Sequence, residues 1–145
     1  GSVIARSASI SNQGDISVQV QTAMSLCLDL PDHNYEWMQF SGAWARERAL
    51  HTRRLEYGIQ AIDSTRGHSS HEQNPFIILK RPSADEFQGE VIGCSLIYSG
   101  NFLAQAEVES HGTTRLMIGI NPFGLVKPSR LRRQCLFTPI RDLTT

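Results

Sequence analysis

The sequence is short of long apolar runs and of net charge, and each shortage excludes a class of protein. No apolar run approaches the ~20 residues that a membrane span needs. Lys plus Arg and Asp plus Glu both number 14, so the net charge is zero. Neither a nucleic-acid backbone nor an anionic membrane is therefore an expected partner. The first ten residues, GSVIARSASI, have one Arg and no apolar segment of the kind found in a secretory signal.

Cysteine is also scarce, with three residues (Cys27, Cys94 and Cys135) that are widely spaced and odd in number. They fit neither a disulfide framework nor a CxxC metal site, so we expect three separate, small, buried or half-buried thiols in a reducing compartment. No nucleophile elbow, P-loop or dinucleotide-binding glycine pattern is present. The length of 145 residues favours one domain with its own core.

The clearest pattern that is present is an alternation of period two from Ile16 to Leu30, in which the even positions are apolar with the exception of Thr22. It predicts either one long strand, bent near Thr22–Met24, or two strands with a kink there, with one buried face. The turn signal NQGD precedes it, and RSASI before that turn is a candidate hairpin partner. The residues predicted to share the buried face are Ile16, Val18, Val20, Leu26 and Leu28.

Later segments alternate in the same way between short Gly, Asn, Asp and Pro turns. FIILK is instead a continuous apolar run, typical of a strand covered on both faces. AWARERALHTRRL has a helical composition but no apolar stripe of helical spacing, so an exposed strand is favoured. Together they predict six to eight strands in an antiparallel β-sandwich or barrel. The alternating segments are YEWMQFSGAW, RLEYGIQAI (with Leu55, Tyr57, Ile59 and Ala61 in phase), GEVIGCSLIYSG, NFLAQAEVES and TTRLMIGI.

The polar stretch STRGHSSHEQNPF, residues 64–76, has neither period and raises several alternatives. It could be a catalytic centre, a metal site, a sugar-contacting loop or a turn held by its own side chains. His68 and His71 could bind zinc, but a site needs further ligands, and histidines bonded to backbone are the simpler interpretation. Asp85 and Glu86 could act as an acid–base pair, but PSADEF has the composition of a solvated turn.

Aromatic residues allow a further hypothesis. Trp37, Phe40, Trp44 and Tyr57 could form a platform on which a sugar ring stacks, although an inward Trp in a sandwich more often fills the core. Composition and period lead only as far as a β-sandwich and leave the function open.

Four motifs carry a resemblance to a known family: GAWARER, STRG.SSH..NPF, GEVIG.SL.YSGNF and GINPF. In this order and spacing the chain resembles the N-terminal domain of bacterial α-galactosidases of glycoside hydrolase family 36. The likeness runs from Val3 to Phe123, and after NPF only FTP of the family pattern remains, with Ile140 in place of a glutamate. Residues 1–123 would thus be part of the β-sandwich domain, incomplete at both ends, and 124–145 a divergent segment.

The resemblance implies a supersandwich that precedes a catalytic (β/α)8 barrel, which is absent from this chain. In the family, two barrel aspartates hydrolyse terminal α-galactosides such as melibiose and raffinose with retention of configuration. The implied partners are that barrel, α-galactoside sugars through the parent enzyme, and further copies in a homo-oligomer. No cofactor and no metal are implied, the location is the bacterial cytoplasm, and the chain alone is expected to be inactive.

For the polar stretch, the resemblance suggests substrate contacts from Arg66, His71 and Asn74, and Trp44 is a fourth candidate for substrate binding. Their side chains supply hydrogen-bonding groups that suit a galactose. Ser69 and Ser70 can bond the backbone of the turn, and Pro75 is expected to end it before the next strand. The alternative is that the stretch only braces the sandwich against itself or the barrel. At the level of the whole chain, a stand-alone carbohydrate-binding or interaction module is the alternative function.

Overall fold

The computed structural model describes residues 3–124 of the chain. This part contains eight strands, each antiparallel to its neighbours. A 3₁₀ turn, Pro122–Gly124, follows the last strand. The all-β prediction is confirmed, while Cys135 and the divergent segment beyond Gly124 lie outside the described residues. The strands are β1 Ala23–Leu30, β2 Glu36–Ala43, β3 Arg46–Arg54, β4 Gly58–Asp63, β5 Gln73–Lys80, β6 Val91–Ser95, β7 Phe102–Val108 and β8 Thr114–Ile120.

The strands form two four-stranded sheets, in the orders β1-β8-β7-β4 and β3-β2-β5-β6. Side chains from both sheets join one buried cluster, as in a sandwich whose inner faces interdigitate. In β7 every second residue is buried, so its sequence alternation maps directly onto the two faces. The most deeply buried large side chains are Trp37, Tyr35, Phe102, Ile77, Leu79 and Leu116.

The predicted long strand from Ile16 to Leu30 is wrong in its first half. Strand β1 begins at Ala23, and Leu26 and Leu28 pack against the core as expected. Ile16 and Val18 are instead 81% and 68% exposed, and no strand forms in RSASI. β1 is an edge strand whose only described partner is β8. The segment before β1 pairs with no described strand, so its apolar side chains have no sheet to pack against.

The phase predicted for RLEYGIQAI is wrong after Leu55. Leu55 is buried, but Tyr57 and Ile59 are more than 60% exposed, and Ile62 is the buried residue of β4. The chain passes from one sheet to the other between β3 and β4, and this crossing resets which face points inward. Ile62 consequently pairs with the buried Ala104 of β7.

Two other segments whose structure the sequence left open lie in strands of the second sheet. AWARERALHTRRL contains strand β3, and every residue of β3 is exposed, which agrees with the favoured exposed strand. Pro75 lies inside β5 rather than before it. It sits where the pairing of β5 with β2 is irregular, between Gln73 and Ile77, which accommodates a residue with no N–H to donate.

The two cysteines within the described residues are free thiols. Cys94 is buried, and burial raises the pKa of its thiol. Cys27 is exposed on β1, contrary to the expectation of a buried or half-buried thiol. Within residues 3–124 no helix has the length and apolar character to cross a membrane.

Arg81 connects three segments at one end of the sandwich. Its guanidinium lies 2.6 Å from the Asp32 carboxylate and 2.9 Å from that of Glu90, and it stacks over Tyr35 with 3.9 Å to the ring centroid. The hydrogen bond from Arg81, helped by the Asn34 N–H, lowers the pKa of Asp32 below its ordinary value of 3.8. The same contacts raise the pKa of Arg81.

This cluster predicts a defined pH dependence. A carboxyl group whose pKa falls on folding stabilises the fold above its ordinary pKa and loses that effect as the pH falls through the lowered value. Asp32→Asn is therefore expected to lower the urea midpoint at pH 7, with a difference from the unmodified chain that shrinks below about pH 4. Asp15→Asn, in an exposed bend, is the control. A midpoint difference for Asp32→Asn that persists unchanged at pH 2.5 would contradict this role.

Candidate functional site

The tip of the β2–β3 hairpin presents Trp44 to solvent. The indole is 84% exposed, and Ala45 beside it has a left-handed φ of 62°. The Ala45 N–H donates to Glu47 Oε1 over 2.8 Å, which holds the turn. A Cβ at Gly42 would collide with the backbone of Arg46 and Glu47, so the glycine of GAWARER is required by this close approach.

Residues 64–72, here called the polar loop, are held together by hydrogen bonds within the segment. The Ser64 hydroxyl donates to the His68 carbonyl over 2.7 Å, and the Glu72 N–H donates to Ser70 Oγ over 3.2 Å. Gly67 has φ 88°, a left-handed conformation that a side chain would strain. Ser70 therefore bonds the turn as the sequence predicted, whereas Ser69, also predicted to do so, contributes its backbone N–H rather than its hydroxyl.

The polar loop is also bonded to the connection between β6 and β7. The Ser64 N–H donates to the Phe102 carbonyl and the Ser69 N–H to the Ser99 carbonyl, both over 2.9 Å. The Gly67 N–H donates to the side-chain oxygen of Asn101. Asn101 was not among the predicted site residues, although it belongs to the YSGNF motif. These bonds position the loop without using any of the predicted site residues.

Arg66 forms an ion pair inside the loop, with 2.6 Å between its Nη1 and Glu72 Oε1. The Arg66 side chain is 61% exposed, and that of Glu72 41%. Since a guanidinium carries five N–H donors, this pair leaves most of them directed to solvent. The two residues line a polar depression of about 210 Å³ together with Asp63, Ser64, Thr65, Ser70 and Gln73. Glu72 was not among the predicted site residues.

The hairpin tip and the polar loop lie side by side. The Gly42 N–H donates to the Glu72 carbonyl over 3.2 Å. Backbone N–H groups of Glu47 and Ala45 lower the pKa of Glu47, and the charge of His71 across the gap adds to the effect. Residues 42–47 and 64–72 thus form one surface, here called the rim. It brings together three of the four predicted residues: Trp44, Arg66 and His71.

Asn74 differs from the other three. It lies in β5 and is half-buried, and its Oδ1 is buried with no hydrogen-bond donor among the described residues. Its acceptor atom therefore does not face the solvent with the rim, and a buried oxygen without a donor is costly to a fold. A donor from outside residues 3–124 would satisfy it.

The four aromatics proposed as a stacking platform do not form one surface. Trp37 is fully buried in the core. Trp44 and Tyr57 lie beyond opposite ends of the β2–β3 hairpin, since Leu55 near Tyr57 bonds Tyr35 at the start of β2. Phe40 is half-buried and stacks on Phe76, with centroids 6.0 Å apart. The rim therefore offers a sugar one exposed indole, that of Trp44.

The carboxyl groups whose pKa is displaced do not have the properties of a general acid. The pKa values of Asp29, Asp32, Glu47 and Asp85 are all lowered by hydrogen bonds, whereas a general acid needs a raised one. Asp85 Oδ1 accepts from the N–H groups of Phe87 and Gln88, so PSADEF is the polar turn that was predicted. Residues 3–124 hold no group of three His, Cys, Asp or Glu side chains arranged for a metal.

Comparison with known sequences places these features in a family context. The family described as "Glycosyl hydrolase family 36 N-terminal domain" matches residues 1–126. α-Galactosidase AgaA of Geobacillus stearothermophilus is 52% identical over 121 residues, which are 83% of this chain and 17% of the relative. α-Galactosidase 2 of Hypocrea jecorina is 42% identical over 125 residues, 86% of this chain and 17% of that one.

Solved structures agree with the sequence comparison. The crystal structure of the Geobacillus stearothermophilus enzyme AgaA matches with a TM-score of 0.68 and 55% identity, over 70% of this chain and 14% of that one. An α-galactosidase of Lactobacillus brevis matches with a TM-score of 0.69 and 53% identity over the same shares. Variants of AgaA have been solved with raffinose and with stachyose bound. The present chain spans about a sixth of the length of these relatives.

Proposed function

Because this chain belongs to the family of glycosyl hydrolase family 36 N-terminal domains, we propose that it works as a non-catalytic β-sandwich part of an α-galactosidase. The reaction would take place on a (β/α)8 barrel elsewhere in the parent polypeptide, with terminal α-galactosides such as raffinose as substrates. The observation that carries this proposal is the identity of 52% over 121 residues with an enzyme of that activity. Homo-oligomerisation of the parent is part of the same proposal.

The rim is the part of the domain that we propose to meet the substrate. Arg66 keeps N–H donors free beside a polar depression, and donors of fixed position are what a ring bearing several hydroxyls requires. Trp44 adds an exposed apolar plate next to them. A group of this kind orients a sugar and does no acid–base chemistry, in keeping with the lowered carboxyl pKa values.

The competing role for the same residues is bracing. The hydrogen bonds that position the polar loop come from main-chain N–H groups and from serines and Asn101, while Arg66 bonds only Glu72 among the described residues. Since the loop is already held without Arg66, an added bracing role for its guanidinium would stabilise the domain little. This favours substrate contact for Arg66.

A purified 145-residue chain is expected to hydrolyse no α-galactoside, because the catalytic pair is proposed to lie on the barrel and the displaced carboxyl pKa values within residues 3–124 are all lowered. Turnover of p-nitrophenyl α-galactoside is the measurement, and the negative control is the buffer from a mock purification. Activity that co-purifies with the chain and is lost when one of its own carboxylates is replaced would contradict the proposal.

The positive test is a hybrid enzyme in which this chain's residues 3–123 replace the matching segment of AgaA from Geobacillus stearothermophilus. We expect the hybrid to retain α-galactosidase activity, and AgaA lacking the segment to have none. An inactive but folded hybrid would count against the proposal. Binding of raffinose to the isolated chain, abolished by Trp44→Ala in a calorimetric titration, would instead support a stand-alone carbohydrate-binding module.

A further inference from the structure

Two sequence motifs, SGNF at residues 99–102 and GINPF at residues 119–123, lie beside the rim without belonging to it. Each contains one asparagine, Asn101 in the first and Asn121 in the second. The two side chains bond different parts of the segment that carries Asp63 and Arg66. They therefore connect the core of the sandwich to the substrate-contacting residue proposed above.

The polar loop is fastened firmly at its start and near its end, but by a single hydrogen bond between them. The Ser64 and Ser69 N–H groups each donate to a main-chain carbonyl of the β6–β7 connection or of β7. Among residues 3–124, the main chain of residues 65–67 forms one hydrogen bond, from the Gly67 N–H to Asn101 Oδ1. The Arg66 side chain bonds only Glu72, which belongs to the same loop. The place of Arg66 relative to the sandwich therefore depends on Asn101.

The bond to Gly67 acts directly on the backbone of Arg66. The Gly67 N–H belongs to the peptide unit that begins at the Arg66 carbonyl carbon, and because that unit is planar, fixing the N–H also fixes ψ of Arg66. Gly67 continues with φ 88°, a conformation that L side chains rarely adopt. A Cβ added there would meet no atom within 4 Å outside the adjacent residues, so the conformation rather than the space requires glycine.

Asn101 is itself held by the core. Its carbonyl accepts from the Asn121 N–H over 3.1 Å, and the next residue, Phe102, is fully buried at the start of β7. Asn121 is only 7% exposed, and its amide donates to the Phe102 carbonyl over 3.3 Å and to Asp63 Oδ2 over 3.2 Å. Asp63 lines the polar depression. Two asparagines thus connect the rigid core to the depression, and Asn101 is the one that reaches the peptide unit of Arg66.

We propose that Asn101 is a positioning residue for the substrate contact of Arg66, an inference that rests on the proposed function. Its Oδ1 holds the Arg66–Gly67 peptide unit in one orientation, so the guanidinium meets the sugar hydroxyls from a fixed place. Asn101 does not touch the sugar in this role. A donor that is already in place loses less conformational freedom on binding, and the substrate is oriented more precisely.

The first measurement follows the loop without any galactosidase activity. Trypsin cleaves after arginine, and Arg66 and Gly67 are exposed. In the 145-residue chain, Asn101→Ala removes the acceptor, so cleavage after Arg66 is expected to become roughly two- to tenfold faster, measured by mass spectrometry. Asn101→Asp keeps an acceptor oxygen and is expected to stay within about twofold of the unmodified chain. Cleavage after Arg54, at the end of β3, is the internal reference.

The second measurement is kcat/KM for raffinose in the hybrid AgaA. Asn101→Ala is expected to lower it about tenfold, and Asn101→Asp to restore most of the loss. Gly67→Ala strains the same turn without a clash and is expected to give a similar loss. Asn34→Ala, at an exposed site beyond the opposite end of β2, is the control that leaves kcat/KM unchanged. In an Arg66→Ala background, Asn101→Ala is expected to change kcat/KM less than about twofold, because the group that it positions is gone.

Three results would overturn the inference. The first is an unchanged rate of cleavage after Arg66 in Asn101→Ala, and the second is a loss of kcat/KM that is equally large with and without the Arg66 guanidinium. The third is a failure of Asn101→Asp to restore kcat/KM. Failure of the proposed function appears separately, as an inactive hybrid with the unmodified segment. The trypsin measurement does not depend on that activity and still decides whether Asn101 holds Arg66 in place.

Discussion

Replacing Trp37 by alanine is expected to remove most of the stability of the fold. The indole is fully buried between the sheets, and its Nε1–H donates to Gln39 Oε1 over 2.7 Å. The Arg53 guanidinium lies 5.6 Å from its ring centroid. Truncating a buried Trp costs about 3–5 kcal/mol, against a total of about 5–15 kcal/mol for an ordinary domain. We expect a large fall in the urea midpoint, followed by circular dichroism.

The second tryptophan of the chain is the matched control. Trp44 has the same side chain but is 84% exposed at the hairpin tip, so Trp44→Ala is expected to change the free energy of unfolding by about 0.5 kcal/mol or less. If both substitutions lowered the midpoint equally, the core described here would be wrong. A large effect of Trp44→Ala alone would indicate that the hairpin tip is buried in solution.

Arg66→Ala is expected to lower kcat/KM of the hybrid enzyme by roughly 10- to 150-fold. A hydrogen bond from a charged group is worth about 1.5–3 kcal/mol, and each 1.4 kcal/mol corresponds to about tenfold in kcat/KM. If the contact is as weak as one between neutral groups, about 0.5–1.5 kcal/mol, the loss starts near twofold. The shape of the pH profile should be unchanged, because the acid and the base lie elsewhere in the enzyme.

Glu72→Ala separates substrate contact from bracing. It breaks the same ion pair as Arg66→Ala but leaves the guanidinium in place. An exposed pair of this kind contributes only about 0–1 kcal/mol, so neither variant should lose much thermal stability. If Arg66 contacts the sugar, only Arg66→Ala lowers kcat/KM strongly. Equal losses for both variants would support bracing, and an altered pH profile would show acid–base chemistry in the polar loop.

The candidate site could be located from sequence only in part. The motifs GAWARER and STRG.SSH..NPF pointed to Trp44, Arg66 and His71, and the structure places these three on one rim. The sequence could not show that Glu72 pairs with Arg66 or that Asn101 bonds the Gly67 N–H. Asn101 is 34 residues from Gly67 along the chain, so the pairing exists only once β7 lies beside the polar loop. For the same reason the sequence could not predict that Asn74 Oδ1 is buried without a hydrogen-bond donor among the described residues.

Local alternation predicted strands β7 and β8 correctly. β7 and β8 follow their period-two pattern because each is hydrogen-bonded on two edges and faces the core. The same local pattern failed at Ile16 and Val18, where no sheet exists to receive them, and at Ile59, where the crossing between sheets reversed the faces. Alternation specifies that two faces differ, but which face is buried depends on what packs against it.

What the sequence by itself determined is therefore the all-β class, the family and three of the residues that lie on the rim, Trp44, Arg66 and His71. Each of these depends on residue types at short spacing, which the chain carries whatever its tertiary arrangement. Tertiary structure alone decided the partner of Arg66, the inward face of β4 and the burial of Asn74 Oδ1. Those properties arise from contacts between segments far apart in the chain, and burial is a property of the assembled sheets rather than of any one strand.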